Sequence, residues 1–188
     1  MGRWEPNSRE RLRSAALELF TEQGFAETTV PEITARAGLT TRTFFRHFAD
    51  KREVLFAGEV EPTDLVARLF AEAPATLTPM ELIEGGLATV GAELFEGEFD
   101  YLTSRHAVIQ SDAGLREREL QKLAGLSAAI RQGFLDRGVD DLTSTLMSQL
   151  TVTVVNVSVG RWLADGGNEP LSAVMHETLD ALRAVTAR

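Results

Sequence analysis

The side chains between residues 40 and 47 combine hydroxyl, guanidinium and imidazole groups in a way that suits the reading of DNA bases. They are Thr40, Thr41, Arg42, Thr43, Arg46 and His47. An arginine can bind guanine O6 and N7 through two hydrogen bonds, and a threonine can bond a base edge or touch a thymine methyl. A single arginine on a helix is usually only a solvated charge, so the combination favours the DNA reading more than any one residue does.

Two short helices must position these groups, and the residues before them predict both. Thr29 and Glu32 fit a capping box, and Pro31 lies in the first turn, where a missing N–H is tolerated. Gly38 can adopt the left-handed conformation that ends a helix. Thr40 then caps a second helix from Thr41 to about Phe48. This pattern predicts a helix-turn-helix motif, whose second helix enters the major groove.

Lys51 is expected near the DNA backbone, and Phe45 is expected either on the outward face of the second helix or in the core. Lys51 follows Asp50, which with Glu53 fits another capping box, and its charge suits a phosphate at a helix start. Phe44 and Phe48 would form the inward face of the second helix. Phe45 would face outward, although beside Phe44 it also fits an ordinary core position.

The stretch from Arg9 to about Phe56 resembles the N-terminal domain of the TetR family of transcriptional regulators. The segments that carry the resemblance are RERLRSAALELFTEQGF, TTVPEITARAGL, RTFFRHF and DKREVLF. The resemblance implies backbone or sugar contacts by Thr29, Phe45, His47 and Lys51. It places Thr40, Thr41, Arg42 and Arg46 nearest the bases. The family usually has a tyrosine where this chain has Phe45, and often one where it has His47.

Length and charge agree with a DNA-binding head and a larger body. The chain has 188 residues and a net charge of −9. Residues 1–60 hold nine basic and nine acidic side chains, whereas residues 61–188 hold ten and nineteen. Residues 36–52 hold five basic side chains against Asp50, and a local basic surface is enough to release DNA counterions. We predict a helix-turn-helix domain at 6–60 and a helical effector-binding and dimerisation domain at 61–188.

Composition also bears on the compartment. The chain has no cysteine, which excludes disulfides and fits the cytoplasm weakly. We find no run of 18 apolar residues and no apolar signal region in MGRWEPNSRE, so we expect neither a membrane span nor a secretory leader.

The rest of the chain predicts helices throughout, about nine in an all-α fold. Asn7 with Glu10 and Thr78 with Glu81 fit further capping boxes. The helix after Lys51 is either interrupted at residues 61–62 or kinks there and continues to about 72. Further helices are expected from about 79, at 99–110, at 113–137, at 142–164 and from 170. The segment TVTVVNVSV could pass for a strand, but its apolar pattern extends beyond strand length.

The last two helices carry apolar side chains on more than one face, which predicts a dimer seam. Two helices from each subunit would form an isologous four-helix bundle, so the operator should be a near-palindrome. The expected seam residues are Leu146, Leu150, Val154, Val157, Trp162, Leu171, Val174, Met175, Leu179 and Leu182. The alternative is that these helices form only the internal core.

By the same resemblance, the middle segment would hold an effector pocket. Its candidate lining residues are Phe70, Leu87, Val90, Phe95, Tyr101, Leu102, Arg105, His106, Leu126, Ile130 and Phe134. Ordinary core is the alternative for most of them. YLTSRHAVIQSDAGLRERELQKLA and RWLADGGNEPL resemble a TetR subgroup with an acyl-CoA-type ligand domain, which implies a long, mostly apolar ligand. A polyanionic CoA would need a local cation such as Arg105 or Arg131.

No pattern predicts catalysis, a metal or a cofactor. His47, His106 and His176 lie far apart without metal-ligand spacing, and no nucleophile motif or phosphate loop occurs. We therefore expect a homodimeric, ligand-responsive regulator, most simply a repressor, whose heads are moved by ligand through the helix after Lys51. The alternative is a DNA-binding dimer whose C-terminal domain binds a protein partner or only dimerises.

Overall fold

The computed structural model describes residues 8–58, 60–95 and 97–186, which form ten helices and no strand. The helices are α1 (Ser8–Gln23), α2 (Val30–Arg36), α3 (Thr41–His47), α4 (Glu53–Phe56), α5 (Pro62–Glu72), α6 (Pro79–Phe95), α7 (Phe99–Ser111), α8 (Ala113–Asp136), α9 (Asp141–Ala164) and α10 (Leu171–Thr186). The all-α prediction is confirmed. The count is ten because the helix after Lys51 is interrupted before Pro62, one of the two expected outcomes. The capping box expected at Asn7 lies outside the described residues.

Local signals place most helix ends. The Thr29 side chain accepts from Glu32 N while the Glu32 carboxylate accepts from Thr29 N, which completes the predicted capping box. Thr78 and Glu81 make the same pair at the start of α6. Gly38 has a φ of +64°, a conformation in which a side chain would be strained. The β-branched segment TVTVVNVSV lies inside α9, so the helical interpretation is confirmed.

The chain divides into two compact units. The first unit comprises Met1–Gly58 and Asp100–Glu119, so it includes α7 from Asp100 onward and the first turns of α8. Its core is formed by α1 to α4 together with Val108, Ile109 and Leu115, which are at most 6% exposed. The helix-turn-helix domain expected at 6–60 therefore takes part of its core from residues beyond 100.

The second unit comprises Glu59–Phe99 and Leu120–Arg188. Within it α10 packs against α6 and α9, and Met175 and Leu179 of α10 are almost fully buried. The ring of Phe70 meets Phe134 edge-on at 4.9 Å between centroids. These contacts give the unit an apolar core of its own.

The helix α9 is long and apolar, with a mean hydropathy of 1.2 over its most apolar window. By length and composition alone this helix of the described chain could cross a membrane, although no run of 18 apolar residues was found in the sequence. One such helix is weak evidence, because core helices pass the same test.

Candidate nucleic-acid interface

The helix α3 is held by two buried aromatic side chains and presents its opposite face to solvent. Phe44 is fully buried and Phe48 is 3% exposed. The Thr40 hydroxyl caps the helix by accepting from Thr43 N at 3.2 Å. The exposed residues of this segment are Thr40, Thr41, Arg42, Phe45 and Arg46, whereas Thr43 and His47 are half-buried. Thr41, Arg42, Phe45 and Arg46 make up the candidate DNA-reading face of α3, or DNA-reading face for short.

The two arginines of the DNA-reading face are available to a ligand. Among the described residues, Arg42 makes no hydrogen bond or ion pair. Arg46 lies 3.4 Å from His47 Nε2, a distance at the limit of a hydrogen bond. Arg42 therefore keeps all its donors, and Arg46 most of its donors, for base edges or phosphates.

Phe45 is not part of the core, which was the alternative for it. Its side chain is 59% exposed, and its ring meets that of Phe44 at 5.4 Å and 81°. An aromatic side chain without a hydrogen-bonding group therefore stands among polar neighbours on the DNA-reading face.

His47 is engaged at the start of α1. The Ser8 hydroxyl lies 2.8 Å from His47 Nε2. Burial, followed by the charges of Arg46 and Arg9, lowers the pKa of His47. The neutral ring can accept from Ser8, so this histidine ties the end of α3 to α1.

Lys51 is held within the first unit by backbone carbonyls. Its Nζ donates to Phe25 O at 2.6 Å and to Thr28 O at 2.7 Å, and it lies 4.2 Å from the centre of the Phe25 ring. Burial lowers the pKa of Lys51. The phosphate contact expected for Lys51 stays a prediction, but the structure gives its ammonium group another use.

Several of the five cations counted in residues 36–52 are paired within the chain. Arg36 pairs with Glu18 and Glu22, and Arg52 pairs with Asp50. The spacing of Glu18 and Glu22 on α1 predicts a shared face, but the sequence does not show that Arg36 meets it. Of the five cations in residues 36–52, Arg42 and Arg46 are therefore the two without a carboxylate or carbonyl partner in the described part of the chain.

The start of α4 also differs from expectation. The Asp50 carboxylate accepts from Arg52 N and Glu53 N. The Glu53 side chain pairs with Arg118. Asp50 thus makes its half of the predicted capping box by accepting from Glu53 N.

The expected pocket residues are divided between the two units. Tyr101, Leu102, Arg105 and His106 belong to the first unit, where His106 is exposed. The remaining seven are Phe70, Leu87, Val90, Phe95, Leu126, Ile130 and Phe134, all in the second unit. Leu87, Ile130 and Phe134 are at most 5% exposed, as core residues are.

Tyr101 and Arg105 have structural partners that the sequence did not reveal. The guanidinium of Arg13 lies 4.5 Å from the centre of the Tyr101 ring. Arg105 Nε donates to Leu55 O at 2.6 Å, and its guanidinium lies 5.1 Å from the centre of the Phe56 ring. Burial lowers the pKa of Arg105. These residues connect α7 to α1 and α4 inside the first unit.

Six of the expected seam residues are internal to the chain, which corrects the prediction for them. Val154, Trp162, Leu171, Val174, Met175 and Leu179 are at most 7% exposed in the single chain, because α10 packs against α6 and α9. Leu146 and Val157 are exposed, and Leu150 and Leu182 are half-buried. For the buried six, the alternative of an internal core holds.

A surface cleft of about 370 Å³ opens beside the turn between α9 and α10. Its lining includes Arg161, Trp162, Glu169 and Glu177, and it contains none of the expected pocket residues. No group of three or more metal-ligating side chains occurs among the described residues.

Comparison with known proteins identifies relatives of both the helix-turn-helix segment and the longer chain. Residues 12–57 match the model of the tetR family of bacterial regulatory proteins. The HTH-type transcriptional regulator TcmR of Streptomyces glaucescens is 29% identical over 192 residues, which covers 94% of this chain and 83% of that protein.

Solved structures share the fold. A SmeT–triclosan complex superposes with a TM-score of 0.66 at 23% identity, over 95% of this chain and 90% of SmeT. The Thermus thermophilus repressor FadR in complex with lauroyl-CoA gives a TM-score of 0.51 at 23% identity, over 93% of this chain and 92% of FadR. The matched relatives are regulators rather than enzymes. Residues 12–57 therefore match the N-terminal domain of the tetR family, and over most of its length the chain is similar to transcriptional regulators that include TcmR.

Proposed function

We propose that the chain is a cytoplasmic repressor that binds a near-palindromic operator as a homodimer and is released by a small, mostly apolar effector. The observation that carries the DNA-binding part is the DNA-reading face. It is exposed, it is held by the buried Phe44 and Phe48, and the guanidinium of Arg42 has no partner among the described residues. FadR, one of the fold relatives, is described as a repressor.

Selection from a random duplex pool tests DNA binding directly. The full-length protein should enrich a near-palindromic sequence, because a two-fold dimer presents two copies of α3. Arg42→Ala should relax the base preference at one position of each half-site, with a loss of about 1–3 kcal/mol of discrimination. Equal weakening on all sequences would instead make Arg42 a phosphate contact.

The homodimer is supported by the exposed apolar side chains of α9. Leu142, Leu146 and Val157 are 68%, 57% and 45% exposed, and their spacing places them on one side of the helix. A second copy would bury them in an isologous contact. Leu146→Glu should therefore yield a monomer in light scattering. Leu120→Glu is the matched control, because Leu120 is 67% exposed on α8 outside this face.

The apolar effector is supported by the ligands named for two fold relatives, triclosan and lauroyl-CoA. The seven expected lining residues of the second unit include the packed pair Phe70 and Phe134, which an acyl chain would have to part. Lauroyl-CoA, lauric acid and triclosan should be tested separately. An effector should raise the thermal midpoint of the protein and reduce its affinity for the selected operator.

The second candidate function is a DNA-binding dimer whose C-terminal domain binds a protein partner or only dimerises. The nearly complete burial of Leu87, Ile130 and Phe134 favours this candidate, because a filled core leaves no room for an effector. A protein that binds its operator but whose melting and DNA affinity are unchanged by a broad panel of apolar ligands would fit it.

A further inference from the structure

We propose that Phe45 reads the C5-methyl group of a thymine in the major groove and so determines base preference at one position of each half-site. This inference rests on the proposed DNA-binding function and assigns a specificity role to one side chain of the DNA-reading face.

The ring of Phe45 is both exposed and anchored. It is 59% exposed, whereas the other two aromatic side chains of the segment, Phe44 and Phe48, are buried. Its ring packs edge-on against Phe44 at 5.4 Å. Phe44 is fully buried, so the neighbouring ring has a fixed support. Phe45 therefore offers an apolar surface whose position α3 determines.

The chemistry of a phenyl ring limits what Phe45 can recognise. A phenylalanine has no donor or acceptor, so it cannot bond a phosphate oxygen or a polar base edge as a tyrosine hydroxyl can. The apolar group that distinguishes one base from the others in the major groove is the thymine methyl, and phenylalanine is among the side chains that contact it. Burial of the exposed ring against this methyl would remove apolar surface of both partners from water.

The position of Phe45 on α3 favours a base contact over a sugar contact. Thr41 and Arg42 precede it by four and three residues, so the three side chains share one face. Three residues of helix rise by about 4.5 Å, and successive base pairs are about 3.4 Å apart along one strand. If Arg42 reads a base, the thymine should lie within one or two base pairs of it.

Deoxyuridine provides the decisive probe, because it differs from thymidine only by the missing C5-methyl. The duplex selected by the full-length protein from a random pool is synthesised in two forms, with thymine and with uracil at every such position. The wild-type protein should bind the uracil form more weakly, by roughly fourfold for each contacted methyl. Phe45→Ala should lose the part of this difference that Phe45 contributes, about fourfold for each contacted methyl, and Phe45→Leu should keep some of it.

Arg42→Ala is the control for indirect effects of uracil on DNA shape. This variant should still prefer the thymine form, because it keeps Phe45. Circular dichroism melting checks that the Phe45 variants fold, and an exposed ring should tolerate replacement.

Each outcome has one meaning for the inference. Equal wild-type binding to both forms would overturn it while leaving DNA binding intact. A preference for thymine that is as large in Phe45→Ala as in the wild type would also overturn it, since another side chain, such as Thr41, would then contact the methyl. Failure to enrich any duplex would overturn the proposed function and this inference together.

Discussion

The ammonium group of Lys51 has three carbonyl acceptors inside the first unit, those of Phe25, Ala26 and Thr28. We predict that Lys51→Met, which keeps an apolar stem near the Phe25 ring, lowers the free energy of unfolding by about 1–2 kcal/mol. The expected loss is at the lower end for charged hydrogen bonds, because water can replace the donor at a partly exposed site. Urea unfolding measures it.

Arg52→Met is the matched control, because Arg52 pairs with Asp50 at an exposed position and such pairs contribute little stability. Lys51→Met also tests the predicted phosphate contact. If Lys51 contacts a phosphate, Lys51→Met should reduce the salt slope of DNA binding by about one unit. Lower stability with an unchanged slope would assign Lys51 to the carbonyls alone, and unchanged stability would contradict the prediction.

His47 should make stability depend on pH. Its pKa is lowered in the folded protein from the ordinary value of 6.5 by burial and then by Arg46 and Arg9, so the folded state binds fewer protons than the unfolded state in mild acid. The contribution of His47 to the free energy of unfolding is therefore complete above about pH 6.5, and it is lost as pH falls through the folded pKa.

The comparison variant is His47→Gln, which keeps an acceptor for the Ser8 hydroxyl but does not titrate. The difference in unfolding free energy between wild type and His47→Gln should shift against the wild type from pH 7.5 to pH 5.5. A difference that stays constant across this range would show that His47 titrates alike in both states.

At the scale of elements, two glycines of α8 provide a matched test of packing. A Cβ on Gly133 would lie 2.6 Å from ring atoms of Phe70, whereas a Cβ on Gly125 would meet nothing within 4 Å. We predict that Gly125→Ala stabilises the protein by about 1 kcal/mol through helix propensity. Gly133→Ala should instead destabilise it, since overpacking costs about 1–3 kcal/mol and displaces Phe70 from Phe134.

Thermal unfolding followed by circular dichroism measures both changes. Equal stabilisation by the two alanines would show that Phe70 moves aside without cost, and the tight packing around Gly133 would then be absent.

Helix boundaries were predictable because their signals are local. The expected helices at 99–110 and 113–137 are found as Phe99–Ser111 and Ala113–Asp136. Caps, prolines and left-handed glycines act within a few residues, so a single sequence contains them. The same holds for α3, whose capping Thr40 and buried Phe44 follow from spacing alone.

The partners of each helix face were not predictable in the same way. α9 and α10 are apolar on more than one side, and the sequence does not say which side packs within the chain. The apolar pattern therefore predicts a dimer seam at Trp162 and Met175, whereas both are buried in the single chain. The resemblance suggests Arg105 as a cation for a CoA in the pocket, whereas its Nε donates to Leu55 O, fifty residues away.

At the scale of the whole molecule, the chain passes between the two units three times rather than once. The passages follow Gly58, Phe99 and Glu119. The sequence led us to expect a single connection after Lys51. Any proposed response to an effector therefore has three covalent connections through which it can act.

The division into units predicts that residues 1–58 do not fold stably alone. Without residues 100–119 the fragment lacks Val108, Ile109 and Leu115, which are buried in the core of the first unit. The fragment also lacks the Tyr101 ring, which lies against Arg13 in the full chain. Arg13 is only 7% exposed there. Circular dichroism should show no cooperative melting of this fragment. Melting at the temperature of the full chain would contradict the prediction.

The discontinuous core of the first unit bears on how such a regulator could be recombined. A hybrid that joined residues 1–58 to a foreign body would place an unrelated helix against the α1 and α4 core and would lose the Arg105 donor to Leu55 O. Residues 1–58 therefore cannot be transferred to another protein as an independent DNA-binding domain. We expect that an exchange that preserves the proposed operator choice must carry residues 100–119 with it, because Val108, Ile109 and Leu115 complete the core that supports α3.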